Sequence, residues 1–145
     1  MKSYTSQSST YLDTINDYKR QGKAIAHFNI SNLDQARAIA EVAEELKQPV
    51  IIGASEGERA YMGVAMVRKI VDELNQEYSV PIFLNADHTY SLEKVQEVVE
   101  AGYDSVIVDG AKLPYEENVA LVKTCVDYVR NYEAKTGKRV LVEAE

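Results

Sequence analysis

Residues 85–91 read NADHTYS and follow the apolar run VPIFL at 80–84. An acid and an imidazole, Asp87 and His88, thus stand side by side where an apolar run gives way to a polar loop. Buried charge is costly unless paired or coordinated, and a strand end opening into a loop is a common place to keep a reactive group. A carboxylate beside an imidazole suits proton transfer, and an imidazole joined by further carboxylates suits a divalent metal. Other polar residues close similar apolar runs: Asn29 in KAIAHFNI, Ser55 in PVIIGAS, Asp109 in DSVIVDG, and Glu143 and Glu145 in RVLVEAE. To act together, they must be brought to one edge of a common scaffold.

The rest of the chain describes such a scaffold. From residue 23, short apolar runs alternate with longer amphipathic ones: KAIAHFNI then SNLDQARAIAEVAEELK, PVIIGAS then a helical stretch from Glu58 to Gln76, VPIFLNADH then SLEKVQEVVEAG, and DSVIVDG then PYEENVALVKTCVDYVRNYEAKTG. RVLVEAE is a fifth strand. The strands lack a clean polar alternation, as expected of a parallel sheet covered on both faces. Ser31, with Asp34 three residues on, and Ser91 are expected to open helices, and Pro114 suits a first helical turn. Gly102 and Gly137 stand where helices should stop. An initial helix is expected over Thr10 to Arg20, with residues 1–9 loose.

Repeated βα units suit either a (β/α)8 barrel or a doubly wound sheet. A dinucleotide-binding sheet should carry GxGxxG after its first strand, and that turn here reads FNISNLD. The expected fold class is therefore α/β of the TIM-barrel type. A whole barrel takes about 250 residues. The 145 residues are expected to form one domain, the first five strands and four helices of a partial barrel after an N-terminal helix. In a barrel the polar residues above share the C-terminal rim, where active sites lie. One imidazole with carboxylates from three strands is material for a divalent-metal site with an acid or base beside it.

Plainer roles compete for each residue. An Asp-His pair also occurs in structural networks, Asp109 before Gly110 suits a turn, and Asn29 and Ser55 suit helix caps or loops. His27, inside the first strand, reads as a packed, hydrogen-bonded residue, and Cys125 as a reduced packing residue. The net charge of −7, with scattered lysines, argues against nucleic acid or a membrane surface as partner. No run approaches the roughly 18 apolar residues of a membrane span, and no signal-peptide core opens the chain, so a cytoplasmic location is expected.

HFNISNLDQARAIAEVA, PVIIGAS, PIFLNADHTYSLEKVQEVVEAGYDSVIVDGA, LPYEENVALVK and VEAE together resemble the N-terminal half of the class II, metal-dependent fructose-bisphosphate and tagatose-bisphosphate aldolases, from Ala24 to Glu145. The resemblance implies a zinc-dependent (β/α)8 barrel, a homo-oligomer when complete. It implies reversible cleavage of a ketose 1,6-bisphosphate, fructose 1,6-bisphosphate foremost, into dihydroxyacetone phosphate and glyceraldehyde 3-phosphate. Asp87 matches the family's catalytic acid/base and His88 its first zinc ligand. Asp109 and Glu145 match acids of a second or alternative metal position, with Glu143 nearby, and Asn29 and Ser55 match positions lining the substrate pocket.

The family's two further zinc histidines and its glycine-rich loop come after VEAE and have no counterpart here. With His27 and His88 the only histidines, a three-histidine site cannot form in one copy. The chain is therefore expected to be a fragment, inactive alone, with exposed sheet edges that favour association. The alternatives are a non-catalytic half barrel, or a split subunit completed by another chain. A glycosidase-like use of Asp87 and Glu145 would leave His88 and Asp109 without a role.

Overall fold

The computed structural model describes residues 11–145. Eleven elements follow one another as α1 (Tyr11–Arg20), β1 (Ala26–Asn29), α2 (Leu33–Leu46), β2 (Val50–Ser55), α3 (Glu56–Met62), α4 (Val64–Glu77), β3 (Ile82–Thr89), α5 (Leu92–Ala101), β4 (Ser105–Val108), α6 (Tyr115–Thr136) and β5 (Leu141–Ala144). The expectation for residues 1–9 lies outside the described residues, as does the start of the first helix at Thr10.

All five strands are parallel and lie in sequence order, β1-β2-β3-β4-β5. A doubly wound sheet reverses its strand order at a switch point, and this one never does. The sheet is therefore of the barrel type. Its pairing aligns Asn29 with Gly53, Gly53 with Asn85, Asn85 with Ser105, and Ser105 with Leu141, so the last residue of β1 stands level with the first residues of β4 and β5, the stagger that a barrel-type sheet requires.

Side chains on a strand alternate between faces, and here the two faces differ. Ile52, Leu84, Val106 and Val108 point to the helices and pack with Val67, Val71, Val95, Val98, Cys125 and Val129 in one core. Cys125 is the packing residue expected, and burial raises its thiol pKa. The other face is concave and holds Ile51, Phe83, Asn85, Ser105 and Ile107. Tyr11 of α1 stacks on Phe83 there, with ring centroids 4.7 Å apart. Both faces of the sheet are thus covered along most of its strands, as the unbroken apolar runs predict for a barrel, and the inner wall turns from apolar to polar along β3, from Phe83 through Asn85 to Asp87.

Three local expectations are corrected. The helix expected from Glu58 to Gln76 is two helices, α3 and α4, because Gly63 leaves helical geometry with φ 90° and ψ 123°. The cap of α2 is Asn32, whose side chain accepts from Gln35 N at 2.9 Å; Ser31, one residue earlier, donates its hydroxyl to Glu58 at 2.9 Å. Pro114, expected in the first turn of α6, instead stands one residue before it at the cap, with ψ 146°. The remaining signals hold. Ser91 caps α5 by accepting from Lys94 N, and Gly102 and Gly137 end α5 and α6 with φ of 90° and 73°. No helix among the described residues is long and apolar enough to cross a membrane.

Candidate active site

Neighbouring residues of a regular strand point to opposite faces, so Asp87 and His88 could not share a rim on one. A bulge resolves this. On the β2 side the ladder runs regularly through Ser55 and Asp87, whereas on the β4 side Ala86 pairs with Val106 and Thr89 with Val108. Three steps on β3 thus face two on β4. The extra residue bends the strand, and His88 takes a left-handed backbone with φ 47°, uncommon for any residue but glycine.

The His88 ring is thereby turned toward the ends of β4 and β5. Its Nδ1 lies 2.9 Å from Asp109 Oδ2 and 3.3 Å from Glu145 Oε2, while Nε2 lies 3.8 Å from Asp87 Oδ1. One ligand atom each from His88, Asp109 and Glu145 lie within 4.8 Å of one another. The anionic surroundings show in the protonation equilibria. The hydrogen bond to Asp109 is the main cause that raises the His88 pKa, against a smaller opposing effect of burial. Asp109 is lowered, first by the Ala111 N–H that donates to its Oδ1 and then by His88. The group therefore favours a cation at Nδ1. Nitrogen and oxygen donors gathered under negative charge fit zinc, so the residues present suit the ion that the resemblance implies.

Asp87 is held from the other side. Asn29 Nδ2, on β1, donates to its Oδ2 at 2.6 Å. Ser55 pairs with Asp87 in the ladder and also caps α3, accepting from Glu58 N at 3.3 Å. Asp109 likewise serves as a turn residue, through Ala111, and as the partner of His88. Glu143 pairs with Ile107, two residues below the rim, and stands outside the three-residue group. His27 is not packed. All of β1 is exposed, β2 being its one strand neighbour among the described residues, and the His27 ring lies over Gly53.

Two supports escaped the reading of the sequence. Asn118, on the first turn of α6, donates from Nδ2 to the Glu145 carbonyl at 3.1 Å, and the Gly110 N–H donates to the same oxygen at 3.0 Å. Gly110 is needed there for space, since a Cβ on it would lie 2.3 Å from Asn118 Oδ1. Arg59, on α3, is buried beneath the bulge and donates to backbone on β2 and β3. Its only sequence signal is a charged run, EGER, that reads as a solvated helix face.

A family model for class II fructose-bisphosphate aldolase matches residues 9–145. A fructose-bisphosphate aldolase of Staphylococcus aureus is 40% identical over 134 residues, covering 89% of this chain and 44% of the relative. Another, from Geobacillus stearothermophilus, is 38% identical over 138 residues, covering 92% and 45%. The chain thus spans under half the length of these relatives. Among solved structures, the YdjI aldolase from Escherichia coli K12 superposes with a TM-score of 0.76 at 29% identity, over 90% of this chain and 49% of that one. Fructose-bisphosphate aldolase from Campylobacter jejuni gives 0.76 at 27%, over 92% and 45%. A sequential parallel sheet of barrel type, relatives named for one activity and a family match over nearly the whole length agree: the chain belongs to the class II fructose-bisphosphate aldolase family.

Proposed function

We propose that residues 1–145 form one domain, the N-terminal part of a zinc-dependent aldolase that cleaves fructose 1,6-bisphosphate to dihydroxyacetone phosphate and glyceraldehyde 3-phosphate. The observation that carries this reading is the convergence of His88, Asp109 and Glu145 on one rim with Asp87 beside them. His88 Nδ1 and the two carboxylates would hold the ion. When bound, zinc supplies Lewis-acid polarisation of a ketose carbonyl, which makes a Schiff-base lysine unnecessary.

Proton transfer falls to Asp87. Its carboxylate, oriented by Asn29 at 2.6 Å, exchanges a proton with the hydroxyl at the bond being cleaved. Asn29 and Ser55, at the ends of β1 and β2, line the substrate side of the rim. The remaining zinc histidines and the phosphate contacts belong to the half that the relatives possess beyond this match. The complete enzyme is then a cytoplasmic homo-oligomer acting on a small phosphorylated sugar.

The test is cleavage of fructose 1,6-bisphosphate by the chain, alone and mixed with the unmatched C-terminal segment of the Staphylococcus relative. No activity is expected alone. Zinc-dependent, EDTA-sensitive activity is expected on mixing, reduced by roughly 10²–10⁴-fold in Asp87→Asn. An Asp87→Asn mixture as fast as wild type would refute the assignment, and EDTA-insensitive turnover would refute the metal.

A further inference from the structure

We propose that Arg59 is a positioning residue, whose guanidinium fixes the β3 bulge that turns His88 onto the same rim as Asp87. Arg59 is 2% exposed. Its Nη1 donates to the carbonyls of Ala54 and, at 3.0 Å, Asp87; its Nη2 donates to Thr89 Oγ1 at 3.0 Å and the His88 carbonyl at 3.4 Å. The bulge takes Asp87 and His88 out of the ladder to β4, and buried carbonyls left without ladder donors must find others. Arg59 provides them.

Chemistry explains why an arginine stands there. A buried cation that meets neutral acceptors is costly, and an apolar residue would fill the same space more cheaply. What the guanidinium adds is geometry, because its planar fork fixes several acceptors at set angles and an ammonium cannot. The same helix ties the loop a second time, where Glu56 Oε2 accepts from Tyr90 N at 3.2 Å. Helix α3 thus grips the segment on both sides of His88. Arg59 reaches the site only through this backbone.

The consequence for catalysis rests on the proposed function, but the backbone effect does not. The experiment is NMR of the labelled full chain, reading the nuclear Overhauser effect between the His88 amide proton and its own Hα. A positive φ brings these protons closer, and return to an extended φ should weaken the signal roughly fivefold. A strong signal is expected in wild type and in Arg68→Lys, a control in which another arginine loses contacts to Gly102 and Asp104 remote from the bulge. A weak signal is expected in Arg59→Lys.

Thr89→Val, which deletes one acceptor with little change of shape, should weaken the signal in part and decides the matter if Arg59→Lys does not fold. An undiminished signal in whichever of these variants folds would overturn the proposal. Where the wild-type chain takes up zinc, Arg59→Lys should lose roughly 10–100-fold in affinity. A mixture with the unmatched C-terminal segment of the Staphylococcus relative that takes up none speaks against the proposed function and leaves the Overhauser result to judge Arg59.

Discussion

Replacing Gly110 by alanine should test how the end of β5 is held. The new Cβ would lie 2.3 Å from Asn118 Oδ1 and 2.5 Å from its Cγ, distances that real contacts do not reach, and a tight 3.0 Å from its Cβ. Asn118 would have to swing away and release the Glu145 carbonyl, now bonded at 3.1 Å. One lost hydrogen bond costs about 1 kcal/mol, and the strain of overpacking about 1–2 kcal/mol more. The sum is roughly 2–3 kcal/mol, which for a chain of this size lowers Tm by about 5–10 °C. Gly57→Ala is the control. A Cβ there meets nothing within 4 Å, and alanine in a helix should gain about 0.5–1 kcal/mol. Thermal and urea unfolding followed by circular dichroism read both variants. In an Asn118→Ala background, which removes the two nearer clashing atoms, Gly110→Ala should cost less than about 1 kcal/mol. A full cost in that background, or a Gly110→Ala midpoint within about 1 °C of wild type, would refute the reasoning.

Three further outcomes are expected. Ser91→Ala removes the oxygen that accepts from Lys94 N and should lower stability by about 1 kcal/mol in urea titrations; no change in midpoint would contradict the cap. Leu84 is fully buried in the helix-facing core, so Leu84→Ala should cost about 3 kcal/mol by the same method, and a loss under about 1 kcal/mol would mean a loosely packed core. Glu44 is held at a pKa of about 2 against an ordinary 4.5, first by Lys47 and then by Ser79, whose N–H and hydroxyl donate to it. Its folded pKa is depressed, so its stabilising contribution is complete above about pH 4.5 and is lost as the pH falls through about 2. Glu44→Gln should therefore lower Tm near pH 7, where that contribution is complete, and the difference from wild type should close as the pH falls from about 4.5 to about 2; a difference that does not depend on pH would contradict this.

The barrel topology was legible because each strand is an apolar run and each following helix an amphipathic one, with Gly102 and Gly137 as stops. The break at Gly63 was not. Apolar periodicity continues through YMGVAMV, and a glycine inside a helix costs only about 1 kcal/mol, so pattern alone does not require an interruption. Ser31 and Asn32 are both competent caps, and the choice between them rests on the Ser31 contact to Glu58 across the loops. The convergence of Asp87, His88, Asp109 and Glu145 was legible from their places at strand ends, but not its means. Sequence suggests a left-handed residue through glycine or asparagine, and here a histidine adopts it. His27 was misread because a strand of a closed barrel has neighbours on both sides, and β1 has one among the described residues.

The most direct test of the central claim is zinc binding by the chain itself, measured by equilibrium dialysis in wild type, His88→Ala and His27→Ala. One zinc per chain is expected in wild type and in His27→Ala, since His27 lies on exposed β1 over Gly53. Uptake should be lost in His88→Ala, because the donor facing Asp109 at 2.9 Å and Glu145 at 3.3 Å is gone. Uptake that survives His88→Ala, or disappears with His27→Ala instead, would contradict the site.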